Sequence, residues 1–401
     1  MKGHVMKKKS ICVVTTKSST IEAFLLEQLY YLQKNGYDVT IVCDVDDELE
    51  KKLPKSISYY PIPMKRGIEI GMIIIIWRLF LLFKRERFDI VQYSTPNAAF
   101  YASIASWLAS RPIRLYCQWG IRYVGYRGLT RLIFKLIEKI TCLLSTDIEP
   151  DSFSNLQFAR EEGLYSTKNS RVIWNGSANG VNIKKFDINK KNEWRNEIRK
   201  YYNIQGSEFV YGFSGRLVKD KGINELIAAY KIIYENFVPN SKLLIVGSYD
   251  DDNNIDQQLM SWARDSQSVI FCGYTNEIEK YYSAMDVFIL PSYREGFGSV
   301  VIEAEAMGNA VIVTDIPGPI DAMKKGVTGL TVRKGEVGEL VNAMKKLFDE
   351  VDLLLLMKEN AVKFSRENFE QKKLWNHVLN DRNLLIQRTR TKSMGVYRKN
   401  A

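Results

Sequence analysis

Two carboxylates, Glu295 and Glu303, flank a Gly-Phe-Gly turn in DVFILPSYREGFGSVVIEAEAMGNAVIVTD, residues 286–315. Val287 to Leu290 is β-branched and aromatic and is stopped by Pro291, which reads as a buried strand. Ser299 to Met307 has helical character, and Ala310 to Thr314 reads as a second buried strand. Gly296 and Gly298 let the backbone approach a ligand closely, and the N–H groups of a helix starting at Ser299 favour an anion. Glu295, on the loop, can accept hydrogen bonds from hydroxyls. Glu303, about two helical turns further on, can face the same crevice. Two hydroxyl acceptors around a phosphate nest suit a sugar nucleotide, although a strand–helix unit with two solvated glutamates would show the same spacing.

A second cluster of chemistry lies in GFSGRLVKDKGINEL, residues 212–226. A strand ends at Phe213, a loop starting at Gly215 presents Arg216 and Lys221, and a helix begins near Gly222. Cations beside a helix start suit a diphosphate, because the backbone dipole and the side chains act together. Asp44-Val45-Asp46 matches an Asp-x-Asp metal motif, but its place after a second strand favours a solvated loop, and no metal is expected. With two histidines in the chain, a histidine-based triad or a multi-histidine metal site is strongly disfavoured.

PSYREGFGSVVIEAEAMGNAVIVTD resembles the signature of the family 4 retaining glycosyltransferases. These have the α/β GT-B fold, in which two Rossmann-like doubly wound domains face a central cleft. The resemblance implies that Glu295 contacts a donor sugar, that Glu303 binds the ribose, and that the backbone of Gly296, Phe297 and Gly298 holds sugar and phosphate. The Gly-Arg-Leu-x-x-x-Lys-Gly pattern is similar to that of the same enzymes, and gives Arg216 and Lys221 the leaving diphosphate. VIFCGYTNE (269–277) resembles the segment whose backbone reads the base, which makes Gly273 and Tyr274 candidates, with Gly247 near the nucleotide. Two features depart from the family: TTKSST (15–20) replaces a Gly-rich loop, leaving hydroxyls and Lys17 to substitute for backbone donors. Trp119 precedes Gly120 where many members have a histidine.

Strand-like and helix-like runs alternate through both halves, as βα units with a largely parallel sheet require. In the first half the strands are 10–15, 38–44, 88–93, 113–118 and a last short one at Arg171 to Trp174. The intervening helices include Ile68 to Glu86, Ala98 to Ala109 and Leu129 to Leu144. A turn-rich stretch near Asn175 to Gly206 breaks the rhythm, and GVNIKKF (180–186) resembles the interdomain GVD-like segment, with Asn182 in place of Asp. This places an acceptor-side domain at 1–180 and a nucleotide-sugar domain at 181–401, with a helix at about 370–390 that can pack back on the first.

Lys and Arg number 57 against 46 Asp and Glu, a net charge of +11 that points to anionic partners. Arg122, Arg127, Arg131, Lys135 and Lys139 cluster among Tyr123, Tyr126 and Phe134, and Met72 to Phe83 joins an apolar run to Lys84 and Arg85. Basic residues beside apolar ones suit an anionic membrane surface or a lipid pyrophosphate. They accompany no recognised nucleic-acid module, so a nucleic-acid-binding protein is disfavoured. The five scattered cysteines read as free thiols in a reducing compartment. The expectation is a metal- and cofactor-independent retaining transferase, peripheral on the cytoplasmic face of the cell membrane. It would use a UDP-sugar (alternatively a GDP-sugar) and a lipid-linked oligosaccharide acceptor for capsule or O-antigen. A GT-B sugar-nucleotide epimerase is the alternative.

Overall fold

The computed structural model describes residues 8–64, 71–249 and 254–399, with 392–399 as backbone. The chain divides into two units, Met1–Trp174 with Lys373–Ala401, and Asn175–Lys372. Each holds a six-stranded sheet whose neighbouring strands all pair in parallel.

The first sheet contains β1 (Lys9–Val14), β2 (Tyr37–Cys43), β3 (Ile57–Pro61), β4 (Ile90–Tyr93), β5 (Ile113–Gln118) and β6 (Asp147–Pro150), in the order 3-2-1-4-5-6. The second contains β7 (Phe209–Ser214), β8 (Ser241–Val246), β9 (Val269–Gly273), β10 (Val287–Leu290), β11 (Ala310–Thr314) and β12 (Gly329–Val332), in the order 12-11-10-7-8-9. Counted within its own unit, that is the same doubly wound order. Each sheet therefore reverses direction once, between β1 and β4 and between β7 and β10, and such switch points are where open α/β sheets bind ligands. Continuous apolar runs such as Val287–Leu290 and Ala310–Thr314 are wholly buried because helices cover both faces.

Three strands escaped the sequence reading: β3, β6 and β12 are short edge strands that carry polar residues or proline. Conversely, Arg171 to Trp174 is not a strand. Ser170 makes an isolated bridge to Ile148, and Trp174 turns into the left-handed region at φ 51°, which ends any extension. The apolar helix runs Met72–Glu86; Ile68 to Ile70, where it was expected to begin, lie outside the described residues, as does His4.

The last helix, Gln371–Lys399, belongs to the first unit from Lys373 onward and is held there by charge. Arg382 is 1% exposed and its guanidinium donates to Gln92 Oε1 at 3.3 Å and to both carboxylate oxygens of Glu149. Asp381 pairs with Arg171 at 2.7 Å, and the buried Asp147 pairs with Arg388 at 2.8 Å. A buried charge that loses its partner is left uncompensated, which costs far more than the intact pair contributes. Arg382→Met should therefore lower the unfolding free energy by about 3–5 kcal/mol. Urea denaturation checks this, and an unchanged midpoint would contradict it.

Candidate functional site

In the second unit β7 and β10 pair over only two positions, Val287 with Tyr211 and Phe288 with Gly212, whereas β7 and β8 pair over six. The strands at the switch point thus part towards their carboxyl ends. The loops that leave them are tied back together: Tyr293 N–H donates to the Asp220 carbonyl at 2.8 Å, and Arg294 pairs with Asp220 at 2.6 Å. Close approach needs glycine. A Cβ on Gly222 would lie 2.1 Å from the Pro291 carbonyl oxygen, and Gly222 sits at φ 71°.

Across this seam Lys221 Nζ meets Glu295 Oε1 at 2.5 Å, and Ser292 Oγ donates to the same oxygen at 2.8 Å. Both charged side chains remain partly exposed, at 22% and 11%. Two helices start beside the pair, Ile223–Asn236 after Gly222 and Ser299–Ala306 after Gly298, each preceded by a left-handed glycine. Their first N–H groups have no acceptor within the helix, so two helix N-termini at adjacent strand ends favour an anion there. Arg216 is exposed, one residue beyond Gly215 at the end of β7.

Gly215, Gly247 and Gly273 close β7, β8 and β9 and are laced to one another. Gly215 N–H donates to the Val246 carbonyl at 2.9 Å and Gly247 N–H to the Gly273 carbonyl at 2.8 Å. A Cβ on Gly247 would lie 1.9 Å from the Gly215 carbonyl oxygen. Tyr274 is 74% exposed, with its hydroxyl donating to Asn276 Oδ1 at 2.8 Å. The Phe297 ring is buried and packs edge-on to Phe369 at 5.3 Å, so only its backbone is presented to the loop. Gly296 packs against Gly318, where a Cβ would lie 2.5 Å from the Gly296 carbonyl oxygen.

Glu303 lies one turn into the helix that Ser299 opens. Tyr282 donates to Glu303 Oε2 at 3.5 Å and shares a 2.6 Å hydrogen bond with Ser214. Burial pushes the Glu303 carboxyl up to about 7, against the pull of Lys185 and of the Tyr282 hydroxyl. Sequence reasoning missed Tyr282, Ser292 and Lys185. Ser292 follows Pro291 immediately, a signal that was available; Tyr282 reads only as part of a helix. Asn182, in the GVNIKKF segment, accepts from the N–H groups of Lys184 and Lys185 at 3.1 and 3.2 Å, a role its carbonyl fills as an aspartate would.

The other candidates belong to the first unit. Lys17 pairs with Asp44 at 2.8 Å, and Asp46 caps the helix Asp47–Lys52 by accepting from Glu48 and Leu49 N–H groups at 3.0 Å. The Asp-x-Asp carboxylates are therefore engaged locally. Thr16 N–H donates to Thr95 Oγ1 at 3.0 Å, and Thr95 holds φ 64°, a costly conformation for a β-branched residue, at the β1–β4 switch point. Trp119 packs on Phe24 at 6.0 Å. Arg127 is exposed, whereas Lys135 pairs with Glu162 at 2.6 Å and Arg131 approaches the same carboxylate at 4.0 Å, which offsets part of the expected basic patch. Arg122 lies over the Phe134 ring at 4.1 Å.

The model of the glycosyl transferases group 1 matches residues 195–364, and that of glycosyl transferase 4-like domains matches residues 10–148. The chain is similar to the capsular polysaccharide biosynthesis glycosyltransferase CapM of Staphylococcus aureus, with 34% identity over 376 residues, covering 93% of this chain and 96% of that protein. It is 25% identical over 348 residues to the Escherichia coli UDP-Gal:alpha-D-GlcNAc-diphosphoundecaprenol alpha-1,3-galactosyltransferase, covering 85% and 87%. Among solved structures it resembles Anabaena HepE in complex with UDP and glucose, with a TM-score of 0.75 at 18% identity over 93% of this chain and 99% of that one. One family model spans the core of each sheet, and a relative matches along nearly the whole of both chains. The chain belongs to the group 1 and family 4-like glycosyltransferases of GT-B fold.

Proposed function

We propose that this glycosyltransferase of polysaccharide biosynthesis moves a sugar from a UDP-sugar to a lipid-linked glycan, with retention at the anomeric carbon. The observation that carries the reading is the Lys221–Glu295 contact between two helix N-termini at the β7–β10 switch point. In this reading the diphosphate lies on those helix starts beside Arg216 and Lys221, while Glu295 accepts from hydroxyls of the sugar. Glu303 accepts from the ribose, and the backbone at Gly273 and Tyr274 faces the base. The bond from the anomeric carbon to the diphosphate oxygen breaks, and the acceptor oxygen bonds to the same face. Its proton passes to the departing phosphate oxygen, the nearest base on that face. Two cations and two helix dipoles stabilise the developing charge, so neither metal nor cofactor is required.

UDP is favoured over GDP by the Escherichia coli relative and the Anabaena structure, whose names carry UDP-linked ligands. The diphosphoundecaprenol in the first of those names supports a lipid-linked acceptor. No described helix is long and apolar enough to cross a membrane. Contact at an anionic surface fits the first unit instead, where Ile73, Ile74 and Trp77 on one helix and Leu129, Leu132 and Leu136 on another are exposed near Arg127 and Lys139. Protection against thermal unfolding across a panel of UDP- and GDP-sugars tests the donor; stabilisation by GDP-sugars alone would overturn UDP.

Arg216→Ala should lower turnover at saturating donor by about 100-fold or more, as losing a preorganised charge contact does. Near-normal turnover would remove Arg216 from the leaving-group site. The two glutamates should separate in calorimetry: Glu303→Gln weakens UDP and UDP-sugar alike, whereas Glu295→Gln weakens only the sugar-bearing donor. Equal losses for both ligands in both variants would contradict the split.

The raised Glu303 carboxyl adds a pH dependence. Its unfolded value is near 4.5 and its folded value about 7, so the folded protein binds the extra proton between them and this stabilising contribution falls as pH rises through that window. Nucleotide binding needs the carboxylate, so it must drive the proton off. UDP affinity should fall by up to about tenfold per pH unit below 7. Glu303→Gln should lose that component and retain only the slope of the phosphate itself. Parallel pH profiles for the two proteins would refute the ribose assignment.

A further inference from the structure

A cavity of about 190 Å³ lies in the first unit among the helices Met72–Glu86, Pro96–Leu108 and Gly128–Leu144. Met72, Phe100, Phe134 and Ile137 make its walls apolar, and Asn97 and Arg122 bring polar atoms to it. Asn97 sits at the start of the helix that follows β4, and Arg122 lies four residues beyond β5, so both belong to the carboxyl-end edge of the sheet. Arg122 Nη1 donates to Asn97 Oδ1 at 3.2 Å, and its guanidinium lies over the Phe134 ring at 4.1 Å. Arg122 makes no ion pair among the described residues, in contrast to Lys135 with Glu162.

The cavity walls continue into exposed apolar surface. Ile73 follows Met72 and is 72% exposed; Ile133 and Leu136, flanking Phe134 and Ile137, are 40% and 60% exposed. Two of the helices that line the cavity thus carry exposed apolar side chains next in sequence to its wall residues. Glu138 also lines the cavity; it is buried, and its Oε1 accepts from Tyr116 at 2.9 Å and Gln118 at 2.5 Å. A dry apolar cavity of roughly 150 Å³ takes a molecule the size of benzene, so this one suits about one or two five-carbon units of a chain.

We propose that this cavity holds the proximal isoprenoid units of a prenyl diphosphate, with Arg122 at its edge on the diphosphate, as the acceptor's lipid end in the reading above. An apolar segment joined directly to an anion is the chemistry that an apolar cavity with one unneutralised guanidinium recognises. The arrangement selects the acceptor by its lipid as well as its sugar.

Farnesyl diphosphate, inorganic pyrophosphate and lysophosphatidylglycerol are the probes, titrated calorimetrically into the full chain. Wild type should bind farnesyl diphosphate at least tenfold tighter than pyrophosphate. Ile137→Trp, which fills the cavity, should remove that advantage while leaving pyrophosphate binding unchanged. Arg122→Gln, at a solvent-accessible position, should weaken both diphosphates about tenfold or more. Farnesyl diphosphate binding that ignores either variant, or equal displacement by lysophosphatidylglycerol, would overturn the assignment. Stabilisation by UDP reports on the other unit. Its loss with prenyl binding intact would sink the sugar-transfer reading alone, and loss of prenyl binding with UDP stabilisation intact would sink this one alone.

Discussion

The site depends on the approach of two loops that leave parallel strands in opposite senses. Parallel pairing fixes β7 and β10 side by side, yet it holds only Val287 to Tyr211 and Phe288 to Gly212, so their carboxyl ends leave the ladder. The space that opens would expose two buried strand ends. It is closed instead by backbone contacts that only glycine permits, Gly222 against the Pro291 carbonyl above all. With a side chain at that position the loop after β7 would stand off, and Lys221 would lose its 2.5 Å contact with Glu295. The chemistry at this seam is a consequence of the missing Cβ.

A second constraint fixes the strand that feeds this seam. Asp286, immediately before β10, is buried, and Arg195, Arg199 and Lys358 converge on it at 2.9, 2.9 and 3.3 Å. Burial alone would raise its carboxyl, but those three cations hold it below the ordinary range. Asp286 also accepts from the Val210 N–H at 3.0 Å, at the start of β7. One carboxylate thus pins the amino ends of both switch-point strands, while their carboxyl ends are left to part. The amino ends are tied through one carboxylate and the carboxyl ends through the loops that leave them.

The residues of the candidate site were legible because they are local: strand, glycine turn and helix start follow one another within a dozen positions, and each step has a short-range cause. The central strands were legible for a related reason, since burial on both faces demands uninterrupted apolar runs. Edge strands pair on one side only and tolerate proline and charge, so Ile57–Pro61, Asp147–Pro150 and Gly329–Val332 left no pattern to read. Partners brought in from elsewhere in the chain were equally invisible. Tyr282 reaches Glu303 from another helix, and Glu162 draws Lys135 and Arg131 from 27 and 31 residues away in sequence. Long-range pairing can cancel a charge pattern that sequence alone reads as a surface.

Glu303 and Glu305 show how the helix converts spacing into function. Two residues apart, they project about 200° from one another around the axis, so they cannot share a face. Glu305 is wholly buried beside Thr328, and burial drives its carboxyl far up. Glu303 keeps partial solvent access and a tyrosine donor, and its carboxyl settles near neutrality. The difference between the two acids is thus set by about half a helical turn and by what lies opposite. A carboxyl poised at about 7 is costly to leave charged in the empty site and gains most when hydroxyl donors arrive. Under the ribose assignment proposed above, hydrogen bonds from a bound ribose would supply that compensation, and the burial that raises the carboxyl would couple ionisation of Glu303 to the ligand.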